Sequence, residues 1–327
     1  MSSIKNIGVL TSGGDSPGMN AAIRAVVRAS LYYNLKVTGI LRGYEGLIQG
    51  DFIPMEGKSV ANIIQRGGTI LKTARCDTFR TIEGRKLAHK NLLESDIDAL
   101  IVIGGDGTFT GADLFSREFH FPVIGLPGTI DNDLAGTDFT IGYDTAINTV
   151  VNAVDKIRDT AESHDRLFLV EVMGRDSGLI ALRSGIGVGA EAIMIPEAQM
   201  GVDDLIKRIE TGRKDKASKI IIVAEGDEAG GAYVVGEALK EKFPNSDIRI
   251  SVLGHIQRGG NPSCMDRVLA SRLGVAAVEG LLEGKTDVMV GQINREIVFT
   301  PFAQTIKHID ARAISPAWLR LVEILSL

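Results

Sequence analysis

Short, continuous apolar runs alternate with longer amphipathic segments along most of this 327-residue sequence. The runs are rich in Val and Ile and hold few polar residues, which is typical of strands covered on both faces. The segments between them have the length and polarity of helices. This alternation predicts an α/β fold with mainly parallel sheets. The predicted strands cover residues 4–10, 37–41, 98–103, 122–126, 167–173, 192–195, 219–224 and 248–253.

Two of the predicted helices have legible starts. Ser16 and Pro17 predict a capped start with a first-turn proline for a helix that reaches about Asn34. A second long helix is predicted from Gly142 to about Ser163, and it is the best single division of the chain that composition alone offers. Further helices are predicted at about 83–94, 108–118, 202–213 and 265–283.

Composition narrows the class of protein. Hydrophobic residues make up 44% and charged residues 24%, which predicts a globular chain, and a net charge of −5 argues against a nucleic-acid partner. No apolar run approaches the ~20 residues that cross a bilayer, and the first residues lack a secretory signal, so no membrane partner is expected. With only Cys76 and Cys264, a disulfide framework is not expected, and a cytoplasmic location is predicted.

Three predicted strands run directly into glycine-rich turns, namely residues 11–15, 104–107 and 127–129. Glycines let the backbone approach a polyphosphate, and helix N-termini favour anions. Because ligands of open α/β sheets bind at the carboxyl ends of strands, the three turns are expected to line one crevice. The first turn matches neither a Walker A loop nor a dinucleotide fingerprint, and an ordinary tight turn remains an alternative.

The carboxylates in and beside the second and third turns are the candidates for metal binding or catalysis. Asp106 lies between Gly105 and Gly107, which favours a metal or phosphate role over helix capping. Asp131 and Asp133 flank one residue, so in an extended segment they would share a side and call for a counter-charge such as Mg²⁺. Either could accept a proton from an attacking hydroxyl, and a pair of turn-forming carboxylates is the alternative. The combination indicates phosphoryl transfer.

Basic residues recur in short polar segments with glycine nearby. Lys72 and Arg75 share one segment, Arg175 follows Gly174, and Arg258 lies three residues after His255. Such arginines suit bidentate phosphate binding, whereas solvated side chains, or for His255 a structural histidine, are the alternatives.

Six motifs in chain order resemble those of the bacterial-type ATP-dependent 6-phosphofructokinases along essentially the whole length. The motifs are Gly8-Val-Leu-Thr-Ser-Gly-Gly-Asp15, Pro17-Gly-Met-Asn-Ala-Ala-Ile-Arg24, Gly104-Gly-Asp-Gly107, Pro127-Gly-Thr-Ile-Asp-Asn-Asp133, Glu171-Val-Met-Gly-Arg175 and Val252-Leu-Gly-His-Ile-Gln-Arg-Gly-Gly260. The resemblance implies the phosphofructokinase fold of two Rossmann-like three-layer domains, and transfer of the γ-phosphoryl of ATP to the 1-hydroxyl of fructose 6-phosphate.

The resemblance also implies a role for each matching residue. Asp131 would be the general base, with Thr129 beside it and Arg175 stabilising the transition state, while Asp106 and Asp133 would hold Mg²⁺. The ATP site would be lined by Gly13, Tyr44, Arg75, Cys76, Arg80, Asp106, Gly107 and Thr108. Fructose 6-phosphate would be bound by Thr129, Ile130, Asp131, Arg166, Met173, Gly174, Arg175, Glu225, Arg249, His255, Ile256, Gln257 and Arg258.

The same resemblance implies the organisation of the chain. Residues 1–142 with 257–307 would bind ATP and Mg²⁺, and residues 143–256 with 308–327 would bind fructose 6-phosphate. Arg166 and Arg249 match residues that reach the site from a neighbouring subunit, which implies a homotetramer. An effector site for ADP or phosphoenolpyruvate is implied at Arg24, Arg28, Arg158, Gly189, Glu191, Lys214 and Lys216.

Three positions depart from the family pattern. Gly57 replaces an arginine of the effector site, Cys76 stands where an aromatic residue is common, and Lys72 where several members have glycine. The resemblance therefore implies intact catalysis, whereas loss of the arginine at position 57 predicts weaker effector binding.

Two other functions remain open. A pyrophosphate-dependent phosphofructokinase of the same fold typically has Asp at the position of Gly107 and Lys at that of Gly128, so the two glycines favour ATP by leaving room for it. A catalytically silent nucleotide or sugar-phosphate sensor would be expected to lack Asp131, which is present.

Overall fold

Residues 4–164, 166–198, 200–211, 219–306 and 314–325 are described by a computed structural model. The chain divides into two units, each drawn from two separate stretches. The first unit comprises Met1–Thr145 and Arg258–Ile309, and the second comprises Ala146–Gln257 and Asp310–Leu327.

The strands of the described residues form two sheets, one in each unit. In chain order the strands are β1 (Asn6–Thr11), β2 (Lys36–Ile40), β3 (Phe52–Pro54), β4 (Ala99–Gly104), β5 (Val123–Pro127), β6 (Leu167–Val172), β7 (Ala192–Met194), β8 (Lys219–Ala224), β9 (Ile248–Val252), β10 (Val288–Ile293) and β11 (Glu296–Pro301).

The helices belong to both units as well. They are α1 (Met19–Tyr32), α2 (Gly43–Gln49), α3 (Ile82–Glu94), α4 (Asp106–Phe119), α5 (Tyr143–Glu162), α6 (Leu179–Gly187), α7 (Val202–Thr211), α8 (Gly231–Lys242), α9 (Cys264–Leu282), α10 (Phe302–Thr305) and α11 (Pro316–Leu325).

The sheet of the first unit has the order β11-β10-β5-β4-β1-β2-β3. Its inner pairs are parallel, and the two edge pairs, β2 with β3 and β10 with β11, are antiparallel. Every residue of β1, β4 and β5 is buried. Because these three strands are adjacent and parallel, their carboxyl ends, and the glycine turns that follow them, meet at one edge of the sheet.

The sheet of the second unit has the order β7-β8-β6-β9, with all pairs parallel. Strand β6 lies inside it, so its carboxyl end, which leads into Met173, is flanked by the ends of β8 and β9. The predicted α/β class with mainly parallel sheets is confirmed.

Each of the eight predicted strands corresponds to an observed one, but β3, β10 and β11 were not predicted. All three belong to the antiparallel edges, where one face is less covered and the apolar run is shorter or interrupted. The β10–β11 hairpin turns at Asn294 and Arg295, which both have positive φ. A turn of this kind is usually signalled by glycine, which is absent here.

Two predicted helix starts were wrong. The cap of α1 is Gly18, in the left-handed region at φ 114°, and neither Ser16 nor Pro17 caps the helix. Helix α4 begins at Asp106 rather than Thr108, so Asp106 belongs to the first helical turn and not to the glycine turn before it.

Candidate active site

The loop between β1 and α1 lies against two other parts of the first unit. The Ser12 N–H donates to the Ile103 carbonyl at 2.9 Å, which fixes the loop beside the end of β4. Gly13 has φ 83°, a conformation that favours glycine. A side chain at Gly14 would place its Cβ 1.7 Å from Nη1 of Arg258, so the guanidinium packs directly on the loop backbone. The turn that was predicted to bind phosphate therefore has the positive charge of Arg258 beside it.

The turn after β4 gives a helix N-terminus with an open approach. A Cβ at Gly107, in the first turn of α4, would meet nothing within 4 Å. Thr108 is only 3% exposed, and its Oγ1 has no hydrogen-bond partner in the described structure. A buried hydroxyl without a partner is rare, and a ligand oxygen would satisfy it. With the helix dipole, this end of α4 suits a phosphate.

The segment after β5 is held in an irregular conformation by side chains. The Thr140 Oγ1 donates to the Thr129 carbonyl at 2.6 Å, and the Thr140 N–H donates to Asn132 Oδ1 at 2.8 Å. Asp131 is 4% exposed, and its N–H donates to Thr129 Oγ1 at 3.2 Å. Asn132 has φ 52°, so the segment is not extended there. The geometric reason for expecting Asp131 and Asp133 on one side was therefore wrong.

The two loops that carry Asp106 and Asp133 approach each other at the sheet edge. A Cβ at Gly105 would lie 3.5 Å from the Cβ of Thr129. Gly128, in contrast to Gly107, is enclosed, since its Cβ would lie 3.0 Å from Cγ2 of Ile103. The expectation that both glycines leave room for a nucleotide thus holds for the surroundings of Gly107 and not for those of Gly128.

The predicted nucleoside-binding residues differ in exposure. The Tyr44 ring is buried and stacks on Phe79 at 3.9 Å between centroids, and its hydroxyl donates to the Thr108 carbonyl. Burial raises the pKa of the Cys76 thiol to about 11, with a hydrogen bond to Glu45 acting in the same direction. Arg75 and Arg80 are exposed, and Arg80 forms an ion pair with Asp77 at 3.6 Å.

Predicted sugar-phosphate residues gather at the carboxyl end of β6 in the second unit. One carboxylate oxygen of Glu225 accepts from the N–H groups of Gly174 and Arg175, at 3.2 Å and 2.8 Å. Gln257 accepts from the Met173 N–H at 3.2 Å. Arg175 has φ 53°, a conformation that costs a residue with a side chain about 1–2 kcal/mol. Glu225 and Gln257 therefore hold the Met173–Arg175 turn.

Arg166 and Arg249 lie at the amino end of the same sheet, where Arg249 of β9 pairs with Phe168 near the start of β6. Both form ion pairs with Asp247, at 2.6 Å and 2.7 Å, and these bonds hold the pKa of that carboxyl below its usual range. Arg166 precedes β6, whereas the Met173–Arg175 turn follows it. A six-residue strand spans about 20 Å. Within one chain the two groups of predicted sugar-phosphate residues are therefore not brought together.

The remaining predicted substrate residues, apart from Ile130, lie in or next to the turn Gly254–Arg258. His255 and Ile256 are exposed, and Arg258 belongs to the first unit, where it packs on Gly14. Ile130, in the segment after β5, is buried.

The predicted effector residues fall into two groups. In the first unit Arg24 and Arg28 lie one turn apart on α1, and burial together with the Arg28 charge lowers the pKa of Arg24. In the second unit Arg158 donates to the Val188 carbonyl, next to Gly189, and Glu191 accepts from the Ile220 N–H. Lys214 and Lys216 lie outside the described residues.

Asn20 is a residue near the site for which the sequence suggested no role. It is 1% exposed, its amide donates to the carbonyls of Arg66 and Gly67 at 3.1 Å each, and its oxygen accepts from the Ile70 N–H at 2.8 Å. Its place in the Gly-Met-Asn motif was the available signal, but a motif does not show which distant segment a side chain holds.

The described part of the chain lacks two features. No group of three or more His, Cys, Asp or Glu side chains could hold a metal ion. Among the described helices, none has both the length and the apolar character to cross a membrane.

A mainly parallel sheet whose strand-end loops carry glycines, carboxylates and a helix N-terminus with an unsatisfied hydroxyl is typical of α/β proteins that bind phosphate groups. The family model for phosphofructokinase matches residues 6–281, and the chain belongs to this family.

Known relatives agree with this assignment. The chain is 57% identical over 309 residues to the ATP-dependent 6-phosphofructokinase 2 of Bacteroides thetaiotaomicron, covering 94% of this chain and 95% of that protein. A phosphofructokinase structure from Saccharomyces cerevisiae is similar with a TM-score of 0.88 and 37% identity, covering 98% of this chain and 48% of the yeast chain. This chain thus spans about half the length of the yeast chain.

A pyrophosphate-dependent phosphofructokinase from Marinobacter aquaeolei is similar in structure, with a TM-score of 0.83 over 98% of this chain and 91% of that chain. Its sequence is only 20% identical. This likeness shows the shared fold and does not distinguish between phosphoryl donors.

Proposed function

We propose that this protein transfers the γ-phosphoryl group of ATP to the 1-hydroxyl of fructose 6-phosphate, giving fructose 1,6-bisphosphate and ADP. The observation that carries the proposal is the edge of the first sheet, where Gly13 and Gly104 lie against the unsatisfied Thr108 hydroxyl and Gly105 lies against Thr129. The names of its close relatives support ATP as donor. On this proposal the first unit binds ATP and Mg²⁺, and the second binds the sugar phosphate.

On the nucleotide side, the N-terminal turn of α4 would bind phosphate oxygens through backbone N–H groups and Thr108 Oγ1. Gly107 would leave room for the phosphates to approach, since a Cβ at this position would point into open space. Gly13, Arg75, Cys76 and the Tyr44 region would complete the ATP site, together with Arg80.

The chain also suits Mg²⁺ bound together with phosphates. Mg²⁺ is usually held by one or two carboxylates, water and substrate phosphates, which agrees with the lack of a larger cluster among the described residues. Asp106 and Asp133 follow neighbouring strands and are the proposed ligands. When bound, the ion would neutralise charge on the β- and γ-phosphate oxygens.

On the acceptor side, Asp131 would take the proton of the sugar 1-hydroxyl as that oxygen attacks phosphorus. Thr129 fixes the Asp131 backbone through its side-chain oxygen. Arg175 would stabilise charge on the transferred group, from a turn held by Glu225. Glu225, Arg258 and the His255–Gln257 segment would bind the sugar phosphate.

We also infer a homotetramer in which each sugar-phosphate site uses two chains. Arg166, before β6, and Arg249, in β9 opposite Phe168, lie at the end of the second sheet away from the Met173–Arg175 turn, so a neighbouring chain would have to supply them. Mixing inactive Asp131→Ser chains with inactive Arg249→Ala chains should then restore part of the activity after subunit exchange. Two variants that stay inactive in mixed, exchanged oligomers would contradict shared sites.

An effector site for ADP or phosphoenolpyruvate is proposed at the Arg24 and Arg158 groups, with Lys214 and Lys216. A Cβ at Gly57 would meet only Leu31, at 3.9 Å, so the local fold can accommodate an arginine there. Gly57→Arg should strengthen the effector response by about tenfold, as one charge-assisted hydrogen bond would. Fructose 6-phosphate saturation curves with each effector test this, and Arg24→Ala with Arg28→Ala should abolish the response.

We further infer a cytoplasmic location, which the glycolytic reaction and the two unpaired cysteines support.

The deciding experiment for the function is a coupled assay for fructose 1,6-bisphosphate with ATP or pyrophosphate as donor. Turnover with ATP alone is expected. Equal rates with both donors would favour the pyrophosphate-dependent alternative, and ligand binding without turnover would favour a sensor.

A further inference from the structure

Lys72 lies in a segment that is fixed to the β1–α1 loop. Its carbonyl accepts from Thr11 Oγ1 at 2.9 Å, and the next residue, Thr73, donates through its hydroxyl to the Gly13 carbonyl at 2.5 Å. On the other side of Lys72, the Leu71 carbonyl accepts from the Arg42 N–H at 2.8 Å. The backbone of Lys72 is therefore held beside Gly13, at the end of β1.

The conformation of Lys72 is unfavourable for a residue with a side chain. Its φ is 60°, in the left-handed region, where a Cβ crowds the following carbonyl oxygen. Glycine adopts this conformation without that cost. The hydrogen bonds from Thr11 and Arg42 do not involve the side chain of Lys72, because their acceptors are the backbone carbonyls of Lys72 and Leu71. These hydrogen bonds thus give no reason for a lysine here.

The charge of Lys72 is available to a ligand. Its side chain is exposed, and it takes part in none of the ion pairs that the described residues form. The loop beside it already carries the Arg258 guanidinium, on Gly14. The acidic group of this loop is Asp15, whose Oδ2 lies 3.9 Å from the Cβ position of Gly68. The charges of Arg258 and Asp15 balance each other, so Lys72, whose backbone is held beside the loop, would give it a net positive charge.

We propose that Lys72 is a further nucleotide-binding residue, whose ammonium group adds a positive charge to the site for the polyphosphate chain beside Gly13. The proposal rests on the proposed ATP-dependent function and extends it to a residue outside the predicted ATP site. The lysine ammonium is a compact charge on a flexible stem, so it suits a phosphate chain rather than the planar base. The cost of the left-handed backbone is then balanced by the charge that the side chain brings to the site.

The test compares variants that separate charge from backbone strain. Lys72→Gln removes the charge, Lys72→Gly removes the charge and the strain, and Lys72→Arg keeps the charge. Lys36→Gln is the matched control, because Lys36 is also exposed but begins β2, at the amino edge of the sheet. Thermal unfolding verifies that each variant is folded.

Isothermal titration calorimetry with a non-hydrolysable ATP analogue and Mg²⁺, and separately with adenosine, gives the readout. Lys72→Gln and Lys72→Gly should bind the analogue about 5- to 20-fold more weakly, with a smaller dependence on salt concentration. Lys72→Arg, Lys36→Gln and all adenosine affinities should stay within about twofold of wild type.

Three results would overturn the proposal. Analogue binding by Lys72→Gln within about twofold of wild type would show that the charge is not used. An equal loss of adenosine affinity would show a general disturbance of the pocket. If the wild-type protein binds adenosine but not the analogue, or neither, the proposed ATP-dependent function itself fails and the role of Lys72 with it.

Discussion

Two loops at the carboxyl edge of the first sheet follow neighbouring strands, and they are built in different ways. After β4 the chain turns at once into α4, and Asp106 lies in the first helical turn. After β5, residues 128–142 contain no helix, and Asn132, Thr140 and Asp266 hold them with side-chain hydrogen bonds. The first loop owes its geometry to the backbone, and the second owes it to side chains.

This difference predicts that substitutions in one loop change ligand affinity and that substitutions in the other change the rate of the reaction. Helix N–H groups point the same way whatever the side chains are, so the β4–α4 loop should tolerate substitution and respond mainly through ligand affinity. The segment after β5 holds the proposed base in an irregular conformation, where removal of one supporting hydroxyl shifts a reacting group. Substitutions there should change kcat more than KM for ATP.

Asp131→Ser is expected to have the largest effect on turnover. Loss of a positioned general base lowers kcat by about 10²–10⁴-fold, while binding of an ATP analogue should change little. Steady-state kinetics and calorimetry measure the two quantities. Asp113→Ser, which removes a carboxylate that pairs with Arg117 on α4, is the control. A kcat for Asp131→Ser within about threefold of wild type would exclude Asp131 as the base.

Gly107→Asp should act on the other loop through affinity. Its Cβ would meet open space, so the variant should fold, but its carboxylate would face a polyanion and lower kcat/KM for ATP by about 100-fold. Gly128→Ala should instead lower stability and leave ATP use unchanged, because its Cβ would crowd Ile103 and cost about 1–3 kcal/mol of stability. Thermal unfolding measures the stability of both variants, and steady-state kinetics measures their use of ATP. A Gly107→Asp variant that is destabilised but uses ATP normally would contradict the difference drawn between the open position 107 and the enclosed position 128.

Thr140→Val removes one support of the segment after β5. The Thr129 carbonyl would lose its 2.6 Å hydrogen bond, and a displacement of the neighbouring base should lower kcat by about tenfold with KM for ATP unchanged. Thr140→Ser keeps the hydroxyl and should restore kcat. If both variants have the same kcat, the hydroxyl does not position the base.

The smallest effect concerns stability and pH. Burial raises the pKa of Asp266 to about 6 from 3.8, although its carboxylate accepts from the Gly142 and Thr145 N–H groups at 2.8 Å each. A raised pKa in the folded state means that stability is fully present below the unfolded-state pKa and is lost as pH rises through the folded one. Between pH 4 and 6 the free energy of unfolding should fall relative to Asp266→Asn by up to about 1.4 kcal/mol per pH unit.

Denaturant unfolding of wild type and Asp266→Asn at several pH values between 4 and 7.5 measures this difference, in which the other titrating groups cancel. A difference that does not change with pH would mean that Asp266 has an ordinary pKa in the folded protein.

Much of this architecture could be predicted, because fully buried strands are visible as apolar runs. β1, β4 and β5 were predicted with the glycine turns that follow them, since glycine marks a close approach of backbone. The residue types of the candidate site were equally visible. The alternation of apolar and amphipathic segments, and the glycine turns, do not predict which segments distant in sequence pair with each other.

The errors have local physical causes. Asn132 adopts a left-handed conformation that an asparagine permits but does not require, so the segment was taken as extended. Ser16 and Pro17 looked like a helix start, but Gly18 takes the cap position because the preceding residues form a separate turn. The support that Asn20 gives to Ile70 spans 50 residues and leaves no periodic trace.

The pairing of β5 with β10 has a consequence for the order in which the chain can fold. β5 ends at Pro127, but its partner on the outer side begins only at Val288, after most of the second unit has been synthesised. During translation the strand that carries the reactive loop therefore remains an unprotected sheet edge while that intervening stretch emerges from the ribosome. Exposed edge strands recruit other chains, so we expect ribosome-bound nascent chains that end before Val288 to aggregate more readily than those that extend beyond β10.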